Sequence, residues 1–164
     1  MTTDTDAAEG SLAGIRVLEL GSTVAGPFCG RLFADMGASV ICVENPSGDA
    51  LRGMGRRHQG KSLWWASMHR NKETIAVNMK SPDGLAAVKQ LAAKADIVVE
   101  NFKPGVLERW GMGYDALSAD NPGLVLVRIS GAETVEEGAR VGQALAVVVQ
   151  EPRHRRSVDR AEDR

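Results

Sequence analysis

Two glycine- and proline-containing turns are where this chain could do chemistry. Gly21-Ser22-Thr23-Val24-Ala25-Gly26-Pro27 follows the apolar run Ile15 to Leu20, and Asn101-Phe102-Lys103-Pro104-Gly105 follows Ile97 to Glu100. A strand that ends in such a turn and hands over to a helix marks where ligands bind an open α/β sheet. The first turn lacks G-x-G-x-x-G, and neither ends in the Gly-Lys-Ser of a phosphate loop. An ordinary strand-to-helix turn uses the same Gly and Pro, so spacing alone marks a position and not a ligand. The remaining reactive side chains are scattered. His58, His69 and His154 form no group of metal-ligand spacing with Cys29 and Cys42, so no metal site is expected. Two cysteines make no disulfide framework, which favours a reduced, cytoplasmic setting.

The elements that must position these turns alternate. Ile15 to Leu20 and Val40 to Glu44 read as buried strands, as do Thr74 to Asn78, Ile97 to Glu100 and Leu124 to Ile129. Pro27 to Met36 reads as a helix, with Pro27 in its first turn and Gly37 just past its end. Asn45 to Ser62 reads as a loop, and Leu63 to His69 as a short helix. Ser81-Pro82-Asp83-Gly84 opens a further helix. Ser81 can cap it, Pro82 suits its first position, and Asp83 meets the positive end of its dipole. Near-continuous apolar strands alternating with helices predict a parallel sheet covered on both faces. Ligands bind such sheets at the carboxyl ends of the strands, where both turns lie.

Bulk properties exclude several classes. Lys and Arg number 20 against 21 Asp and Glu, so no basic balance points to nucleic acid or an anionic membrane. No apolar run reaches the roughly 18 to 20 residues of a membrane span. The acidic Met1 to Gly10 does not look like a secretory signal. The length of 164 residues suits one domain.

The motifs themselves are specific. Leu12-Ala13-Gly14-Ile15-Arg16-Val17-Leu18-Glu19-Leu20 leads to Ala25-Gly26-Pro27. Asp35-Met36-Gly37-Ala38-Ser39-Val40-Ile41, Val43-Glu44 and Arg70-Asn71-Lys72 follow. Ala95 to Gly105, Leu107 to Tyr114, Asn121-Pro122 and Arg128-Ile129-Ser130-Gly131 complete the series. In this order they resemble the front of the class III coenzyme A transferases (the CaiB/BaiF family), over about four fifths of the chain.

The resemblance implies a Rossmann-like α/β fold, a parallel sheet with flanking helices that is incomplete relative to the family's large domain. It implies coenzyme A or an acyl-CoA as ligand, no separate cofactor, and a homodimer in full-length relatives. Transferases of the family move coenzyme A between carboxylic acids through an aspartyl anhydride and an aspartyl thioester; racemases of the family invert the carbon next to the thioester carbonyl. The matched positions for the coenzyme A site are Ser22, Val24, Ala25, Val77, Asn101, Phe102, Lys103 and Arg109. Arg109 and Lys103 would serve the phosphates, and Phe102 and Val77 an apolar slot for adenine.

The chain departs from the family pattern after Gly131. Ala132-Glu133-Thr134-Val135 stands in place of an aromatic residue and a Gly-Gln-Thr-Gly-Pro-like turn, and no Gly-Asp follows. No catalytic residue is therefore assigned. The expected organisation is a flexible N-terminus over 1–11, the α/β region over 12–131, and a divergent, mobile tail over 132–164. Within the tail Val141 to Val149 reads as a strand or a short helix, and five arginines crowd Pro152 to Arg164. The expected function is a transferase fragment lacking the catalytic aspartate, inactive alone. The alternatives are a racemase-type fragment or a non-catalytic coenzyme A-binding or pairing module.

Overall fold

The computed structural model describes residues 10–131 and 145–150. Most of the expected flexible N-terminus and of the expected mobile tail lies outside the described residues.

Strand β1 (Arg16–Glu19) enters helix α1 (Ala25–Asp35), which returns to β2 (Ser39–Glu44). A 3-10 turn (Ala50–Gly53), the hairpin β3 (Arg57–His58) and β4 (Lys61–Ser62), and α2 (Leu63–Met68) follow. Then come β5 (Glu73–Ala76), α3 (Pro82–Ala92), β6 (Ile97–Glu100), α4 (Val106–Arg109), α5 (Tyr114–Asp120), β7 (Val125–Gly131) and β8 (Leu145–Gln150). The main sheet has the order β5-β2-β1-β6-β7-β8. All its pairs are parallel except β7 with β8. The fold is thus mixed α/β with a mostly parallel sheet.

Alternation along each strand fills two cores. Leu18, Val98 and Leu126 point to one face, packed with Val88 and Ala92 of α3, Leu107 of α4 and Leu117 of α5. Val17, Val99 and Val127 point to the other, against Ala34 of α1. Each fully buried Leu or Val contributes roughly 1.5–3 kcal/mol. The cap at Ser81 forms as expected, its hydroxyl accepting from the Gly84 N–H at 3.2 Å, with Pro82 in the first turn. Helix α1 starts earlier than expected, at Ala25, which places Pro27 at its third position. Its missing N–H costs no hydrogen bond there either. The stretch expected as loop, 45–62, contains the 3-10 turn and the hairpin, both short and polar enough to escape periodicity. Residues 145–150 resolve the open choice in the tail as a strand, antiparallel to β7.

Candidate functional site

The sheet reverses its winding between β1 and β6. From β1 the chain runs outward to β2 and β5, and then crosses to β6 on the other side. The loops after β1 and β6 therefore diverge and leave a crevice at the carboxyl ends of the strands. A cleft of about 390 Å³ opens there. Its walls include Ser22 after β1, Asn45 and Asp49 after β2, Val77 and Lys80 after β5, and Phe102 with Trp110 beyond β6.

The walls are stitched together. The Ser22 N–H donates to Asn101 Oδ1 at 2.8 Å, and Asn101 Nδ2 donates to the Ser22 carbonyl at 2.9 Å. Asp49, nearly buried, accepts from the N–H groups of Thr23 at 3.1 Å and Leu51 at 2.7 Å. That contact holds Thr23 in the left-handed region, at φ 67°, which a β-branched residue rarely adopts unaided. Glu44 takes the Asp49 N–H at 2.9 Å and the Arg52 guanidinium. Arg52 and the Asp49 N–H together hold the Glu44 carboxyl below its ordinary range. Both carboxylates at the cleft are thus committed to holding loops. Phe102 meets Trp110 edge to face, with centroids 5.3 Å apart, which gives the β6 side an aromatic wall.

Of the residues expected to hold coenzyme A, Ser22, Val77 and Phe102 line this cleft. Asn101 stands behind it, bonded to Ser22. Val24 is exposed at the start of α1, and Ala25 opens that helix and packs towards the α1-side core. Lys103 and Arg109 are exposed and lie outside the lining. The Arg109 guanidinium stands by Gly105, at 3.3 Å from where a Cβ would be. Lys80, which sequence reasoning did not single out, is the cation in the lining. Its position in the loop between β5 and α3 was readable, but no motif marked it.

The Arg70-Asn71-Lys72 motif has a structural explanation. Arg70 and Asn71 both donate to Asp35 at the end of α1, and the Arg70 guanidinium is the main cause that holds the Asp35 carboxyl down at about 2. Lys72 turns inward. Its Nζ lies 2.6 Å from Glu19 Oε2 and 2.7 Å from the Pro27 carbonyl, and both charged side chains are fully buried. It ties the end of β1 to the first turns of α1 and so fixes the loop between them. Burial nonetheless raises the Glu19 carboxyl, with Lys72 working against it. Beside this pair lie Cys42, whose thiol is pushed far up by burial and Glu19, and His69, held down to about 4 by burial. The sequence could not show this group, because its members come from three separate segments.

Comparison with known proteins agrees with this architecture. Residues 12–142 match the profile of CoA-transferase family III. Succinyl-CoA--D-citramalate CoA-transferase of Chloroflexus aurantiacus is 53% identical over 119 residues, which are 71% of this chain and 30% of that protein. Human succinyl-CoA:glutarate CoA-transferase is 41% identical over 122 residues, or 73% of this chain and 28% of that protein. Among solved structures, a CaiB/BaiF family protein from Brucella suis superposes with a TM-score of 0.70 at 37% identity, covering 75% of this chain and 34% of the other. The chain spans about a third of the length of these relatives. With the profile matched over most of its residues, the chain belongs to CoA-transferase family III.

Proposed function

We propose that this chain supplies the coenzyme A-binding face of a transferase that moves coenzyme A between carboxylic acids. The observation that carries the reading is the cleft at the sheet's reversal, lined by Ser22, Val77 and Phe102, in a chain of this family. Phe102 and Trp110 suit a flat base or an apolar acyl arm. Coenzyme A is larger than the cleft, so part of it must lie outside. Among the described residues, Lys80 in the lining, and Lys103 and Arg109 on the exposed surface beyond it, offer cations to its phosphates. The Chloroflexus and human relatives named above are CoA-transferases, which favours transfer over racemisation.

Among the described residues no carboxylate at the cleft is free to act as nucleophile, since Glu44 and Asp49 hold loops. An aspartyl mechanism needs a carboxylate beside the thioester carbonyl. The described residues therefore support binding, and none of the carboxylates that they bring to the cleft is placed to serve as the nucleophile. The stripe of exposed Val24, Phe28, Leu32 and Met36 along α1 supports pairing with a further copy or a complementary chain. Two free cysteines, Cys29 and Cys42, fit a cytoplasmic setting.

Trp110 provides the test. Coenzyme A should quench tryptophan fluorescence saturably, and Trp110→Phe should remove most of that response. No quenching, or quenching that survives Trp110→Phe undiminished, would place the ligand elsewhere.

A further inference from the structure

Glu19 at the end of β1, Cys42 in β2 and His69 just after α2 are all buried, and one ligand-type atom from each lies within 4.8 Å of the others. The cluster contains atoms with no hydrogen-bond partner among the described residues. Lys72 occupies Glu19 Oε2; Glu19 Oε1 has no other partner than the neighbouring Cys42 thiol within reach of the carboxyl, and neither ring nitrogen of His69 has one. Buried polar atoms are nearly always partnered, and an exception usually marks an ion, a water or a chemical role. Here three such atoms belong to side chains that converge with a thiol.

We propose that Glu19, Cys42 and His69 bind one divalent d-block cation of the zinc type. A thiolate, an imidazole and a carboxylate form a borderline-soft donor set suited to such an ion, and three protein ligands leave a fourth position open. Ligand atoms about 2.0 to 2.3 Å from zinc stand less than about 4 Å apart, so the three donors need move inward by about an ångström or less. Lys72 acts as the outer partner: by holding Oε2 it fixes the carboxylate and leaves Oε1 for the ion. Trp65, stacked on His69 with centroids 4.9 Å apart, fixes the imidazole plane.

Charge and protons balance. The Cys42 thiol gives its proton to solvent as the sulfur–metal bond forms. Glu19 and Lys72 cancel, and the divalent ion and thiolate leave one positive charge. A water in the fourth position, whose proton zinc makes easy to lose near neutral pH, cancels that charge as hydroxide. None of the three residues lines the cleft, although Asp49, which does, acts electrostatically on both Glu19 and His69.

The full chain, stripped with a chelator, is loaded with Co²⁺ as a spectroscopic stand-in and separately with Zn²⁺, then desalted and assayed for metal. The expected result is one ion per chain and a thiolate-to-cobalt charge-transfer band. Cys42→Ala should abolish the band and weaken retention by more than about 100-fold, beyond the usual cost of an outer-shell change. His69→Gln should weaken retention likewise, and Cys29→Ala should keep both signals. If Cys42→Ala does not fold, His69→Gln decides, with circular dichroism confirming its fold. Stoichiometric metal missing from the wild type, or a cobalt band unchanged in Cys42→Ala or in folded His69→Gln, overturns the proposal and leaves a bridging water as the partner.

Discussion

Ser22 and Asn101 exchange two hydrogen bonds across the point where the sheet reverses, at 2.8 and 2.9 Å. The amide side chain of one loop thereby serves as backbone partner to the other, and the two rims of the cleft keep a fixed separation. Asn101→Ala removes both bonds and strands the Ser22 N–H and carbonyl. We expect a loss of about 1–3 kcal/mol in stability by urea unfolding, with weaker coenzyme A binding at temperatures where the variant is folded. An Asn101→Ala protein of wild-type stability would mean that the loops hold each other by other contacts.

Gly26 makes a second demand at the same crossing. A Cβ there would stand 2.8 Å from the Gly21 Cα and 3.1 Å from Asn101 Oδ1. The first neighbour is backbone and cannot swing away. Gly26→Ala should therefore cost about 1–3 kcal/mol through overpacking, although alanine favours helices intrinsically. A stabilised Gly26→Ala variant in thermal unfolding would contradict this packing.

The buried pair Lys72–Glu19 predicts strong non-additivity. Lys72→Met leaves a carboxylate buried and unpaired, a change that typically costs about 3–5 kcal/mol. Glu19→Gln with Lys72→Met removes both charges and should lose less than the lysine change alone. Urea unfolding of the two variants in chelator makes the comparison; a double variant weaker than Lys72→Met would show that the pair is worth more than its desolvation.

Acid sensitivity should reside partly at Asp35. Arg70, then Arg31, keep its carboxyl at about 2 in the folded protein, below the ordinary value of about 3.9. A depressed carboxylate stabilises the fold above its unfolded pKa, and that contribution fades as pH falls through the folded one. Wild type should lose stability more steeply than Asp35→Asn between about pH 4 and pH 2. Parallel curves by circular dichroism would remove Asp35 from the account.

Much of the fold was legible because its signals are local. The β-branched runs at Val17, Val40 and Val98, and the Ser81-Pro82 start of α3, each carry their own physics within a few residues. The two turns at Gly21 and Asn101 were recognisable as a candidate site because strand ends in an open α/β sheet converge there. Short helices such as Val106–Arg109 were hidden, since one turn shows no periodicity. The Glu19, Cys42, His69 and Lys72 group was invisible for a different reason: only the tertiary fold brings β1, β2 and the segment after α2 together. Lys103 and Arg109 stood out by motif, whereas Lys80 lines the cleft with no motif to mark it.

Arg109 bears on the ligand most sharply, because it lies outside the cleft yet is, with Lys103, one of the two cations that the motifs offer to phosphate. If a phosphate of coenzyme A reaches α4, Arg109→Ala should weaken binding by roughly 1.5–3 kcal/mol, the usual worth of a charge-assisted hydrogen bond. Lys80→Ala, measured alongside, reports the contribution from the lining. Equal affinity in Arg109→Ala and wild type would confine the ligand to the cleft.

Calorimetric titration of the 164-residue chain with coenzyme A shows whether the cleft binds this ligand. Saturable binding of one molecule per chain is expected, weakened by Phe102→Ala. An absence of saturable heat from folded protein at several temperatures, or binding indifferent to Phe102, would contradict it.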